Sequence, residues 1–89
     1  MGWFSDLPED EQQRLIRLLD EPGGADASKA GGDDIEYACW LLAVDRLCQE
    51  RHEASIFDLR DMTWPAWYED GLVPSEALVL ALEEEGLTL

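Results

Sequence analysis

The side chains that could do chemistry in this sequence are almost all carboxylates. Asp and Glu number 21 in 89 residues, against 6 Lys and Arg, for a formal net charge of −15. Asp58, Asp61, Glu69 and Asp70 bracket the segment Trp64-Pro-Ala-Trp67-Tyr68, and Glu83, Glu84 and Glu85 run together near the C-terminal end. Paired carboxylates can act as general acid and base, as in glycoside hydrolysis, and with so many acids spacing alone leaves such pairs open. Acids beside Trp and Tyr have a second use, because these aromatics anchor interfaces while charge around them steers encounter. Trp64 and Trp67 can equally close the base of a core, since a small domain with four Trp must bury most of them.

Other chemistry lacks its residues. The one histidine, His52, stands between Arg51 and Glu53 near a helix end, where an imidazolium complements the helix dipole. The Ser and Thr residues have no other imidazole to draw on, and no spacing suggests a triad. C-x-x-C and H-E-x-x-H spacings are absent, so zinc has no ligand set. Gly23-Gly24 and Gly31-Gly32 lack both the Lys-Ser/Thr of a phosphate loop and the spacing of a dinucleotide fingerprint. A calcium loop counted from Asp26 would put Ala30 at a ligand position and Tyr37 where a bidentate Glu is required. Cys39 and Cys48 fall on opposite faces of one helix, ~13 Å apart along its axis. A disulfide needs Cα atoms within ~7 Å, so both read as reduced packing residues. The expectation is a binding protein rather than an enzyme, with no cofactor and no metal.

The elements that must position these residues are helical. Pro8 and the acids Glu9, Asp10 and Glu11 open a helix over about 8–20, with Leu15, Leu18 and Leu19 as its apolar stripe. Asp10 with Arg14, and Arg17 with Glu21, have the i,i+4 spacing of ion pairs. Residues 21–33 are rich in Gly and read as a flexible connector. The strongest element spans about 34–52, with Asp33 and Glu36 as a capping pattern. Its face of Tyr37, Trp40, Leu41, Val44, Leu47 and Cys48 makes it the hub of the core. Ile35 and Leu42 point almost the opposite way and form a second apolar face. A short helix follows from Ser55 to about Met62, with Ser55 and Asp58 as a capping pair. Pro65 and Gly71 then frame one helical turn around the Trp residues. The last helix begins after Pro74 with Ser75 as its cap, and ends at Gly86 with a hydrophobic contact from Leu87. The fold class expected is all-α, an irregular bundle of four or five short helices in a single domain.

Composition narrows the function. At 46% hydrophobic residues the chain is too apolar for an acidic disordered tail. No apolar run approaches the ~18–20 residues that span a bilayer, and the acidic N-terminus resembles no signal peptide. Asp6 breaks the myristoylation pattern after Gly2. Anionic membranes and nucleic acids should repel the chain, so a cytoplasmic location without direct nucleic-acid binding is expected. Solubility needs a net charge of only ~2–8 in a small domain, and the excess works against the compact state. Acids also stand where helix dipoles disfavour them: Asp20 and Glu21, Glu50 and Glu53, and Glu83 to Glu85, each at a helix C-terminus.

A rigid domain with carboxylates on its surface can enter a groove built for phosphates, since duplex DNA carries one charge per ~1.7 Å. In size, charge and lack of catalytic motifs, over its whole length, the chain resembles the small, acidic, phage-encoded inhibitors of host defence, the anti-CRISPR and anti-restriction proteins. That resemblance implies a basic nucleic-acid-binding partner in the host cytoplasm, a CRISPR effector or restriction enzyme, blocked by occupation of its DNA-binding surface. The contact candidates are the two acidic groupings with Trp64 and Trp67. Two other readings stay open. One is a domain adapted to high salt, which screens the repulsion. The other is an adaptor or homodimer that uses the Ile35–Leu42 face.

Overall fold

Helix α1 (Glu9–Leu19) leads through a 3₁₀ turn (Pro22–Gly24) into α2 (Ala25–Gly31) and the long α3 (Ile35–His52). A second 3₁₀ turn (Ile56–Asp58), α4 (Trp64–Glu69) and α5 (Pro74–Glu85) complete an all-α fold. This computed structural model describes residues 3–53, 55–58 and 63–85, with the backbone alone at 52, 58 and 85. The expected pairing of Ser55 with Asp58, the end of the short helix at Met62, the dipole role of His52 and the stop at Gly86 with Leu87 therefore lie outside the described residues and side chains. Among the described residues no helix is long and apolar enough to cross a membrane.

Helix α3 is the hub. Ala38, Cys39, Trp40, Leu41 and Leu42 are all buried in succession. At ~100° per residue, five consecutive positions cover the whole circumference, so this stretch is enclosed on every side. Helix α5 packs one stripe on it, Ala77, Leu78, Ala81 and Leu82, with the two alanines permitting close approach. Leu15 and Leu19 of α1 join the same core. Cys39 and Cys48 are free and buried, as their spacing required.

Residues 21–33 are the main correction. They are not a flexible connector but a 3₁₀ turn and a helix packed on α3. Their glycines serve close approach. A Cβ at Gly31 would stand 2.7 Å from Cα of Ala38, and one at Gly24 would run into the Leu18 carbonyl. Ala27 is buried between them in sequence. Small residues therefore bring this segment onto the side of α3 expected to be free. Leu42 is only 2% exposed as a result, and no homodimer can use it without displacing the chain's own packing. Ile35, the first residue of α3, does stay open at 48%.

Helix ends differ from expectation by a residue or so, each for a stated contact. Asp34, not Asp33, caps α3, accepting the Tyr37 N–H at 3.0 Å. Glu36 is then one residue short of the position that closes a capping box. Ser75 does not cap α5. Pro74 is its first residue, and the Val73 N–H donates back to Glu76 Oε1 at 3.3 Å. On α1, Arg14 lies 3.8 Å from Glu11, an exposed i,i+3 pair. Helix α3 stops with Glu53 in the left-handed region at φ 54°, its N–H bonded to the Gln49 carbonyl.

Below α3, one acid is inside. Asp45 is 4% exposed and accepts three hydrogen bonds. Ser55 Oγ (2.7 Å) and the Ile56 N–H (3.0 Å) donate to Oδ1, and Gln49 Nε2 (2.8 Å) donates to Oδ2. Ser55 Oγ in turn accepts the Phe57 N–H. The carboxylate thus pins the second 3₁₀ turn to α3 and brings Ile56 into the core.

Candidate functional site: an aromatic cavity edged by carboxylates

Trp40 anchors the site. It is fully buried, and its Nε1–H donates to the Leu72 carbonyl at 2.9 Å. That carbonyl is delivered by the end of α4. The Leu72 N–H bonds the Trp67 carbonyl and the Gly71 N–H bonds the Tyr68 carbonyl, a Schellman motif that needs the left-handed φ of +83° found at Gly71. So the Pro65-to-Gly71 frame read from the sequence is what locks α4 against α3.

Helix α4 offers aromatics without burying any of them fully. Trp64, Trp67 and Tyr68 are each half-buried, while Pro65, Ala66, Glu69 and Asp70 are exposed. Trp64 meets Trp67 edge-on at 5.3 Å and Trp40 edge-on at 6.2 Å. Tyr68 meets Trp40 at 5.6 Å and Tyr37 at 5.1 Å. Trp64 and Trp67 thus pack against the core while staying partly in solvent.

Beside this cluster lies a cavity of about 210 Å³, walled by Trp3, Phe4, Trp40 and Tyr68 and closed by Leu72 and Gly71. Glu36 and Glu69 stand in its lining, and among the described residues no Lys, Arg or His does. The N-terminal segment is held there by Gln12, whose Nε2 donates to the carbonyls of Phe4 and Leu7, both at 3.0 Å. The acids reach the aromatics electrically. Burial first, then Asp34, raises the Tyr37 phenol above its ordinary value; burial first, then Asp34, Glu36 and Cys39, does the same for Tyr68. Burial and then Glu36 push the Cys39 thiol up to about 11, so at neutral pH it is protonated and a poor nucleophile.

Of the contact candidates that the structure describes, Glu69 alone lines this cavity. Asp70 is exposed at the end of α4, and Glu83 and Glu84 are exposed on the last turn of α5. Asp61 and the side chains of Asp58 and Glu85 lie outside what the structure describes. Sequence reasoning missed Glu36, Trp3 and Phe4 as members of the site. Glu36 had been assigned to capping, and the signal that frees it is the second Asp at position 34. A larger groove, about 540 Å³, lies elsewhere, between α1, α3 and the start of α5. It holds Leu7, Leu15, Leu18 and Leu47 with mixed charges at Arg14, Arg46, Glu11 and Glu50, and none of the candidate residues.

What fold and site define is a small all-α protein with an aromatic surface set among carboxylates. Set beside known proteins, the chain matches no family model, no curated protein and no solved structure.

Proposed function

We propose that the protein is a non-enzymatic inhibitor that binds the nucleic-acid-binding surface of a basic partner, a CRISPR effector in the first instance, and blocks its access to DNA. The observation that carries this reading is charge density. A net charge of −15 is held on a body 35 Å in its longest dimension. A duplex of that length carries ~20 phosphate charges, so the two densities are comparable. Among the described side chains Asp45 is the one buried acid, so the other described carboxylates lie at least partly at the surface. The half-buried aromatics of α4 add the anchors that a purely electrostatic contact lacks.

The test is competition. A purified effector–guide complex, and separately a restriction enzyme, is held with fluorescent target DNA while the protein is titrated in at low and at physiological salt. Displacement near stoichiometry at physiological salt, reversed by excess unlabelled duplex, is the expected result. Retention of DNA on every partner at physiological salt, with association seen only at low salt, sinks the proposal.

A further inference from the structure

We infer that the cavity between α3, α4 and the N-terminal segment is a cation-recognising cage that takes the guanidinium of a partner's arginine. The partly exposed Trp3, Phe4 and Tyr68 line it together with the buried Trp40, and its described lining carries two carboxylates, Glu36 and Glu69. Aromatic faces attract cations through the ring quadrupole, and carboxylates supply the counter-charge. Among the described residues the cavity has no cation of its own to satisfy them. Trp40 is fully buried with its N–H committed to Leu72, so the rings a cation can reach are those of the partly exposed Trp3, Phe4 and Tyr68. At about 210 Å³ the space falls below the ~300 Å³ at which drug-sized pockets begin, and suits a side chain better than a cofactor.

Among biological cations the geometry favours guanidinium. It is planar, stacks on aromatic faces and forks toward carboxylates, whereas an ammonium is a compact, strongly hydrated point charge. That the cation belongs to an arginine on a DNA-binding surface rests on the proposed function. The cage itself does not.

The experiment therefore has two arms. In the first, the full chain is titrated with N-acetylarginine amide and with its neutral citrulline counterpart, followed by tryptophan fluorescence and two-dimensional NMR. The arginine probe is expected to bind at least about tenfold more tightly than citrulline, a gap of ~1.4 kcal/mol. It should shift the resonances of Trp3, Trp40 and Tyr68. Glu69→Gln and Glu36→Gln, both at exposed positions, should each weaken it about tenfold, whereas Asp26→Asn, an exposed acid on α2, should leave it unchanged. Equal binding of the two probes, or equal loss in all three variants, overturns the cage and leaves only diffuse attraction to a negative protein.

In the second arm the same variants enter the DNA-displacement assay. If the arginine probe binds selectively but no DNA is displaced, the cage stands and the inhibitor reading falls. If DNA is displaced equally by the parent chain and by both Gln variants, the inhibitor reading stands and the arginine-binding role of the cavity falls.

Discussion

Asp45 offers the sharpest test of how this chain holds together. Two substitutions remove the same unit of charge, so any relief of the −15 repulsion cancels between them. Asp45→Asn keeps an oxygen where Oδ1 stands, and so keeps the bonds from Ser55 and the Ile56 N–H. Its amide can face Gln49 once that side chain turns its own oxygen inward. The loss is the difference between charged and neutral acceptors, about 1 kcal/mol. Asp45→Ala strands the Ile56 N–H, which is buried and has no route to water, at ~1–3 kcal/mol. Releasing Ser55, and with it the 3₁₀ turn that seats Ile56, adds to this, for a total of about 3 kcal/mol. Against a whole stability of ~4–13 kcal/mol for a chain of this length, that is a large fraction. Urea unfolding followed by circular dichroism should place the midpoints in the order parent, Asn, Ala. The melting temperature of the Ala variant should fall by roughly 12–24 °C. An Asn variant as damaged as the Ala variant would refute the acceptor argument, because charge alone would then be responsible. An Ala variant within ~0.5 kcal/mol of the parent would show that the clamp contributes nothing.

Other contacts give shorter tests by the same unfolding assay. Gly31→Ala should destabilise by about 2 kcal/mol, because the new methyl meets the backbone of Ala38 and outweighs the ~1 kcal/mol gain in helix propensity. Gly23→Ala, with nothing within 4 Å of its Cβ, should stay within ~0.5 kcal/mol of the parent or stabilise slightly. Glu53→Gly should stabilise by about 0.5–1 kcal/mol, relieving a left-handed residue and removing an acid from a helix C-terminus; an unchanged midpoint would count against strain there. The Cys39 thiol is raised from 9.0 to about 11 in the folded state, so the folded chain holds that proton longer than the unfolded one. Its contribution is therefore complete below pH ~9 and is lost as pH rises toward 11, which a Cys39→Ala series should show as a shallower alkaline decline in stability.

The parts of this fold that were legible in the sequence are those where local signal and packing agree. Helix α3 announces itself by its apolar residues, and the αL stop at Gly71 by Pro65 and Gly71 around an aromatic turn. The segment 21–33 looks like a connector in sequence because Gly signals mobility wherever nothing packs against it. Here Gly24 and Gly31 remove side chains so that backbone can approach backbone, and packing on α3 overrides a poor helix propensity. The same signal leaves Leu42 apparently free in sequence. Asp45 carried a signal that went unused, a lone acid inside the run Leu-Leu-Ala-Val-Asp-Arg-Leu-Cys on an otherwise buried helix. The cavity was partly hidden for a different reason. Trp3, Phe4, Glu36 and Glu69 come from three separate stretches of chain, brought together by core packing, the Gln12 bonds and the Schellman motif.

The acids themselves divide by what stands next to them. Asp26 on α2 and Glu9 on α1 project from helix surfaces into water, where a single charge is heavily screened and one carboxylate can replace another. Glu36 and Glu69 are also exposed, but they share a cavity lining with aromatic residues, where a cation would feel both carboxylate and ring. Net charge sets how fast a basic partner arrives, and every acid contributes to that about equally. What holds the partner after arrival depends on groups that are desolvated together, and these are few. If the protein works by mimicking phosphate alone, its acids are interchangeable and the rate of association carries the affinity. If the cavity engages an arginine, loss of Glu69 lengthens no encounter but shortens the life of the complex, so the dissociation rate distinguishes the two.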